Sequence, residues 1–138
     1  THFKEFLAPY YRKIISFARE VGIDIIITDS DGYVEDLIPL IIETGVTGMY
    51  PFERAAGNNL LRIREAYPDF QIMGGFDKKT MFVDAGKNAI DEELEIIKSM
   101  IKKGRFIPHT DHFISQDCTY ANFTYYRNRL NEIIDNFK

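Results

Sequence analysis

The sequence predicts an α/β fold: a leading helix and four β/α units in a parallel sheet, which is half of a (β/α)8 barrel. Three observations predict it. Short apolar, mostly β-branched runs without polar alternation recur along the chain, the pattern of strands covered on both faces. Stretches with apolar residues at helical spacing separate them. A polar cluster follows each run directly, which is where barrels carry their chemistry. A complete barrel has eight such units and ~250 residues, whereas this chain has 138 residues.

The elements follow in order. Phe3, Phe6, Leu7, Tyr10, Ile14, Phe17, Ala18 and Val21 mark a helix over 3–20. Asp24 to Thr28 is the first strand, and Asp29-Ser30-Asp31-Gly32 is turn chemistry. Leu37 to Ile42 is apolar enough for a helix, with Pro39 tolerated only in its first turn, and Thr44-Gly45 ends it. Thr47 to Tyr50 is the second strand, Pro51 to Gly57 a loop and Asn58 to Ala66 a helix. Phe70 to Met73 is the third strand, closed by a Gly74-Gly75-Phe76-Asp77 loop. Ile90, Leu94, Ile97 and Ile101 define a long amphipathic helix that stops at Gly104. Arg105 to Pro108 is the fourth strand, His109 to His112 its loop, and Phe123, Tyr126, Leu130, Ile133 and Ile134 the core stripe of the last helix.

Composition sets the class. The chain is 45% hydrophobic and 28% charged, which describes one globular domain over residues 1–138. A net charge of −4 argues against nucleic acid or an anionic membrane as an electrostatic partner. One cysteine forms no intrachain disulfide, no apolar run approaches the ~18 residues of a membrane span, and the first residues are not a signal peptide. The expected location is therefore the cytoplasm. The chain opens on Thr1 rather than Met, so the expectation is a trimmed protein or a piece of a longer one.

The residues after the four strands form the candidate site. They are Asp29 and Asp31; Tyr50, Glu53 and Arg54; Gly74, Gly75 and Asp77; and His109, Asp111 and His112. Carboxylates and imidazoles gathered at one mouth ligate a divalent metal or run acid–base chemistry. Each also has a plain structural reading. Asp29 and Asp31 before a glycine are common turn residues. Glu53 beside Arg54 is a surface pair. Gly74-Gly75 is either a tight turn or a place where a ligand meets the backbone. Cys118, without a second cysteine, is a packing residue.

Four segments resemble the uroporphyrinogen decarboxylase superfamily, which includes the corrinoid-dependent methyltransferases. Phe6-Leu7-Ala8-Pro9-Tyr10-Tyr11-Arg12-Lys13-Ile14 resembles its F-x-x-P-Y-x-x-K-I helix, and Gly45-Val46-Thr47-Gly48 its G-A/V-x-G strand entry. Met73-Gly74-Gly75-Phe76-Asp77 is similar to its Q-G-N-L-D-P segment, and Asp111-His112-Phe113 to its G-H-G segment. The resemblance implies the C-terminal half of the family's TIM-type barrel. It gives His112 the place of the decarboxylases' substrate-contacting histidine. It sets Asp29 and Asp31 where the thiol methyltransferases carry the H-x-C-G ligands of zinc, with hard oxygen in place of soft sulfur.

The expected function is methyl transfer to or from a corrinoid protein or thiol. Asp29 and Asp31, with His109 or Glu53, bind a divalent metal; His112 and Asp31 act on the substrate; Tyr50, Glu53, Gly74, Gly75 and Asp77 contact it. The alternatives are decarboxylation of a uroporphyrinogen-type tetrapyrrole and a non-catalytic half-barrel. A half-barrel leaves one apolar sheet face open, with Ile26, Met49, Ile72 or Ile107 on it according to register. Covering that face calls for self-association or a missing N-terminal half.

Overall fold

The computed structural model describes residues 2–137. Four strands form one parallel sheet in the order β1-β2-β3-β4, with β1 at Ile27–Asp29, β2 at Gly48–Tyr50, β3 at Gln71–Phe76 and β4 at Phe106–Thr110. Five α-helices alternate with them: α1 (Ala8–Glu20), α2 (Ile38–Ile42), α3 (Leu60–Ala66), α4 (Gly86–Lys103) and α5 (Tyr120–Asp135). Parallel strands in sequential order, joined by helical crossovers of the usual single hand, place the connecting helices on one face of the sheet.

That face holds the core. Met49 and Ile72 pair in register and are fully buried among Ile38, Leu60, Ile63, Ile90, Leu94 and Ile97 from the helices. One residue further along each strand, the side chains turn to the other face. There Tyr50 pairs with Asp29 and Met73 with Ile107, and Tyr50 and Ile107 are 38% and 57% exposed. Of the residues expected on the open face, Ile107 is there. Met49 and Ile72 lie against the helices instead, because the strand register puts them one residue out of phase with Tyr50 and Met73. Ile26, half-buried, packs against the core.

The strand boundaries differ from the sequence reading, most at the start of β1 and the ends of β3 and β4. β1 starts later, at Ile27, because Ile26 is held by the Thr47 side chain: its N–H donates to Thr47 Oγ1 at 2.8 Å. β3 runs on through Gly74-Gly75 to Phe76, and β4 on through His109 to Thr110, since the two strands pair to their ends. The two glycines hold φ of 95° and 81° inside a paired strand. A Cβ on Gly75 would lie 2.6 Å from Leu60 Cδ1, so its missing side chain is filled by α3. Gly48 faces a similar limit, because a Cβ there would meet Ile27 Cδ1 and the Gln71 backbone oxygen at 2.6 Å.

The helices end where their chemistry changes. Asn59 caps α3 by accepting from Arg62 N, Gly104 closes α4 at φ 73°, and Thr119 caps α5 by accepting from Asn122 N. Pro39 sits in the first turn of α2, as its missing N–H requires. A π-helical turn, Phe3–Leu7, precedes α1. α1 buries only Ala8 and Ile15 fully; Tyr11 packs against the core half-buried, and Tyr10, Ile14 and Phe17 are exposed. No helix among the described residues is long and apolar enough to cross a membrane.

Candidate metal centre

All the polar strand-end residues lie at one edge of the sheet, because each follows its parallel strand in the same direction. Asp29, Asp31, Tyr50, His109, His112 and Phe113 line a cleft of about 320 Å³ there. Asp31, Glu53 and His112 each bring a ligand atom to within 4.8 Å of the other two. His112 Nε2 lies 3.9 Å from Asp31 Oδ1.

The loop after β1 is bound to the loop after β2. Glu53 Oε1 accepts from Gly32 N at 2.7 Å, which places its carboxylate beside Asp31. Asn58, buried, completes the joint. Its Nδ2 donates to Gly32 O and Glu53 O, both at 2.8 Å, and its Oδ1 accepts from Val34 N at 3.0 Å. Arg54 does not pair with Glu53. It reaches Glu93 at 2.9 Å and Asn58 O at 2.7 Å, so its charge is spent away from the cleft.

Asp111 performs the same task for the loops after β2, β3 and β4. It is buried, and its two oxygens accept from Arg54 N at 3.0 Å and Lys78 N at 3.2 Å. Its own N–H donates to Phe76 O at 2.8 Å. Burial pushes the Asp111 carboxyl above its ordinary value, and the two backbone N–H groups pull it back only in part. His112 follows directly and inherits its position from this anchor. The His112 ring meets Phe113 edge-on, 4.6 Å between centroids. Its Nδ1 is buried with no hydrogen-bond partner among the described residues. No protein acceptor therefore fixes the tautomer, and Nε2 is the atom turned to Asp31.

His109 lies in the same cleft but is held differently. Its Nδ1 donates to the Thr110 carbonyl oxygen at 2.7 Å, which orients the ring. The ring rests on Gly74, where a Cβ would lie 3.1 Å from His109 Cε1. The missing side chains of the glycine pair leave room for the His109 ring at Gly74 and for Leu60 of α3 at Gly75.

The structure groups the expected residues differently. Asp29 and His109 line the cleft but lie outside the three-residue group, because Asp29 ends its strand while Asp31 sits in the bend beyond, next to Glu53. Glu53, expected chiefly on substrate, joins Asp31 and His112. Asp77 is turned to its own loop, where it caps a 3-10 turn by accepting from Lys79 N at 2.9 Å. Cys118 is a packing residue whose thiol, pushed up by burial, points to Lys78 O at 3.7 Å. Asn58 and Asp111 carry the site's geometry; Asp111 stands among the strand-end candidates of the sequence, whereas Asn58 is not marked by spacing. An Asn just before a helix is its only hint.

The donor set suits a divalent cation. Two carboxylates and one imidazole are hard to borderline ligands, fitting Mg²⁺, Mn²⁺, Fe²⁺ or Zn²⁺ more than a thiophilic ion. At metal–ligand bonds of about 2.1 Å, neighbouring donors stand roughly 3–4 Å apart, and the Asp31–His112 separation of 3.9 Å falls in that range. No protein-family model matches the chain, and no curated protein matches it.

Proposed function

We propose that the four units are the C-terminal half of a (β/α)8 barrel of the uroporphyrinogen decarboxylase superfamily, on its methyltransferase-like side. The chain binds a divalent cation on Asp31, Glu53 and His112 and takes part in methyl transfer between a small methylated substrate or thiol and a corrinoid carried by a partner protein. The observation that supports this reading is the convergence of those three side chains at the C-terminal ends of the strands, where barrels hold their sites. A bound cation supplies Lewis acidity at the methyl-bearing or methyl-accepting atom. The protein's own part is positional. Asn58 and Asp111 hold the loops, and Glu53 keeps one oxygen free while the other takes Gly32 N–H. His109 lines the same cleft, its ring oriented by the Nδ1 bond to Thr110 O.

The tetrapyrrole reading fares worse. A substrate carrying several carboxylates needs free cations at the mouth. Here Asp29 and Asp31 line the cleft, and Arg54 is paired with Glu93. Proton release on adding a small thiol, measured with Zn²⁺ or Mn²⁺ and without, tests the assignment. Cation-dependent release that disappears in Asp31→Asn and His112→Gln is the expected result. Cation-independent binding of a polycarboxylate tetrapyrrole would overturn it.

A further inference from the structure

Glu93 is a carboxylate where α4 is otherwise apolar. It follows Ile90 by three residues and precedes Ile97 by four, within the stripe that α4 turns to the sheet, and its side chain is only 11% exposed. Arg54, itself largely buried, donates from Nε to Glu93 Oε1 at 2.9 Å. The same oxygen takes the Asp77 N–H at 3.4 Å, and Arg54 Nη1 reaches Asn58 O at 2.7 Å. A buried ion pair gives little net stability over an apolar pair of the same shape, because desolvation offsets the attraction. What such a pair does fix is the place of a cation.

The place of this cation matters because Glu53 is its neighbour in the chain, with the two Cα atoms about 3.8 Å apart across a trans peptide. Glu53 spends one oxygen on Gly32 N–H, and the other has no hydrogen-bond partner among the described residues. A guanidinium fits a carboxylate through two parallel N–H donors, so it competes with a divalent ion for the same oxygens. Released from Glu93 in a largely buried place, Arg54 needs another carboxylate, since an unpaired buried charge is costly. Both oxygens of Asp111 are already taken, by Arg54 N and Lys78 N. Glu53 is the acid left within reach. We propose that Glu93 keeps the cation site open by holding the Arg54 guanidinium away from it, and that without Glu93 the Arg54 side chain turns to Glu53 and takes the divalent ion's place. Glu93 is then a positioning residue that acts through Arg54, and its role rests on the reading of Asp31, Glu53 and His112 as a cation site.

The test is rescue by a second substitution, read as Mn²⁺ affinity in calorimetry. Glu93→Ala is expected to weaken binding about tenfold, whereas Arg54→Met, alone or combined with Glu93→Ala, stays within roughly threefold of the parent. Asn58 keeps its own three side-chain bonds in Arg54→Met. If the pair only braces the loops, Arg54→Met weakens binding as much as Glu93→Ala and the double variant is no better; that pattern would overturn the proposal, as would full affinity in Glu93→Ala. Should Glu93→Ala fold poorly by circular dichroism, Glu93→Gln serves in its place, with a smaller loss and the same rescue expected. The position of Arg54 is read separately, without metal, from its Nε–H signal in NMR. Glu53→Gln is expected to leave that signal alone in the parent and to shift it in the Glu93→Ala background. A signal indifferent in both backgrounds would overturn the proposal. A parent chain that binds no Mn²⁺ overturns the underlying cation site, whereas a parent that binds, with no rescue in the double variant, overturns the role of Glu93 alone.

Discussion

Asn58 is the residue on which two loops depend. Its amide satisfies two backbone carbonyls and one backbone N–H, all belonging to the loops that carry Asp31 and Glu53. Asn58→Ala leaves those buried groups unpaired, at about 1–3 kcal/mol. The expected outcome is a lower melting temperature together with weaker cation binding. Asp29→Asn, on the strand rather than in the three-residue group, is expected to leave the stability within ~0.5 kcal/mol of the parent, as an exposed position does. Thermal melts and cation titrations of the two variants check both. Much of the site was legible in sequence at this scale. Asp31 and His112 stand out because polar residues directly after parallel strands must share one edge. What joins them was not. Glu53's orientation depends on Gly32 N–H, and Asn58 on three groups up to 26 residues away, and no local spacing encodes either.

Tyr126 on α5 shows an element-scale cost. It is buried against Phe76, 4.1 Å between ring centroids, and its hydroxyl has no hydrogen-bond partner among the described residues. Burial pushes this phenol up to about 12, and the Arg127 guanidinium 5.9 Å from the ring centroid offsets this only slightly. A raised folded-state value means the folded chain keeps a proton that the unfolded chain loses. Stability therefore falls as pH rises from about 10 to about 12. Tyr126→Phe is expected to stabilise the protein by about 1 kcal/mol at neutral pH, by removing a buried unpaired hydroxyl. It is also expected to flatten the alkaline loss seen in melts across that range. Gly48→Ala acts in the opposite direction. The added methyl meets the Gln71 backbone and Ile27, so an overpacking loss of about 1–3 kcal/mol is expected in denaturant unfolding. The helices were largely legible, since Ile90, Leu94 and Ile97 form one stripe and glycine or Thr caps mark the ends. The strand ends were less so. Gly74-Gly75 read as a loop because positive φ is turn chemistry, whereas here pairing with Pro108 and His109 holds the glycines inside β3.

Across the whole molecule, one sheet face carries the core and the other carries Tyr50, Met73 and Ile107 toward the open side. The order of strands, their parallel sense and the single edge that gathers the polar residues all follow from the repeating strand–helix pattern. Which apolar residue faces which side did not, because strands of three to six residues give too few alternations to fix a phase. α1 misled for a related reason: its apolar positions cover two faces, and periodicity alone cannot say that only one meets the core. The account rests most on the assembly of Asp31, Glu53 and His112 from three separate loops into one cation site. Calorimetric titration of Mn²⁺ and Zn²⁺ into the 138-residue chain tests it directly. One ion per chain is predicted, with affinity falling at least tenfold in each of Asp31→Asn, Glu53→Gln and His112→Gln and melting temperatures little changed. No binding by the parent chain, or binding equally strong in all three variants, would contradict it.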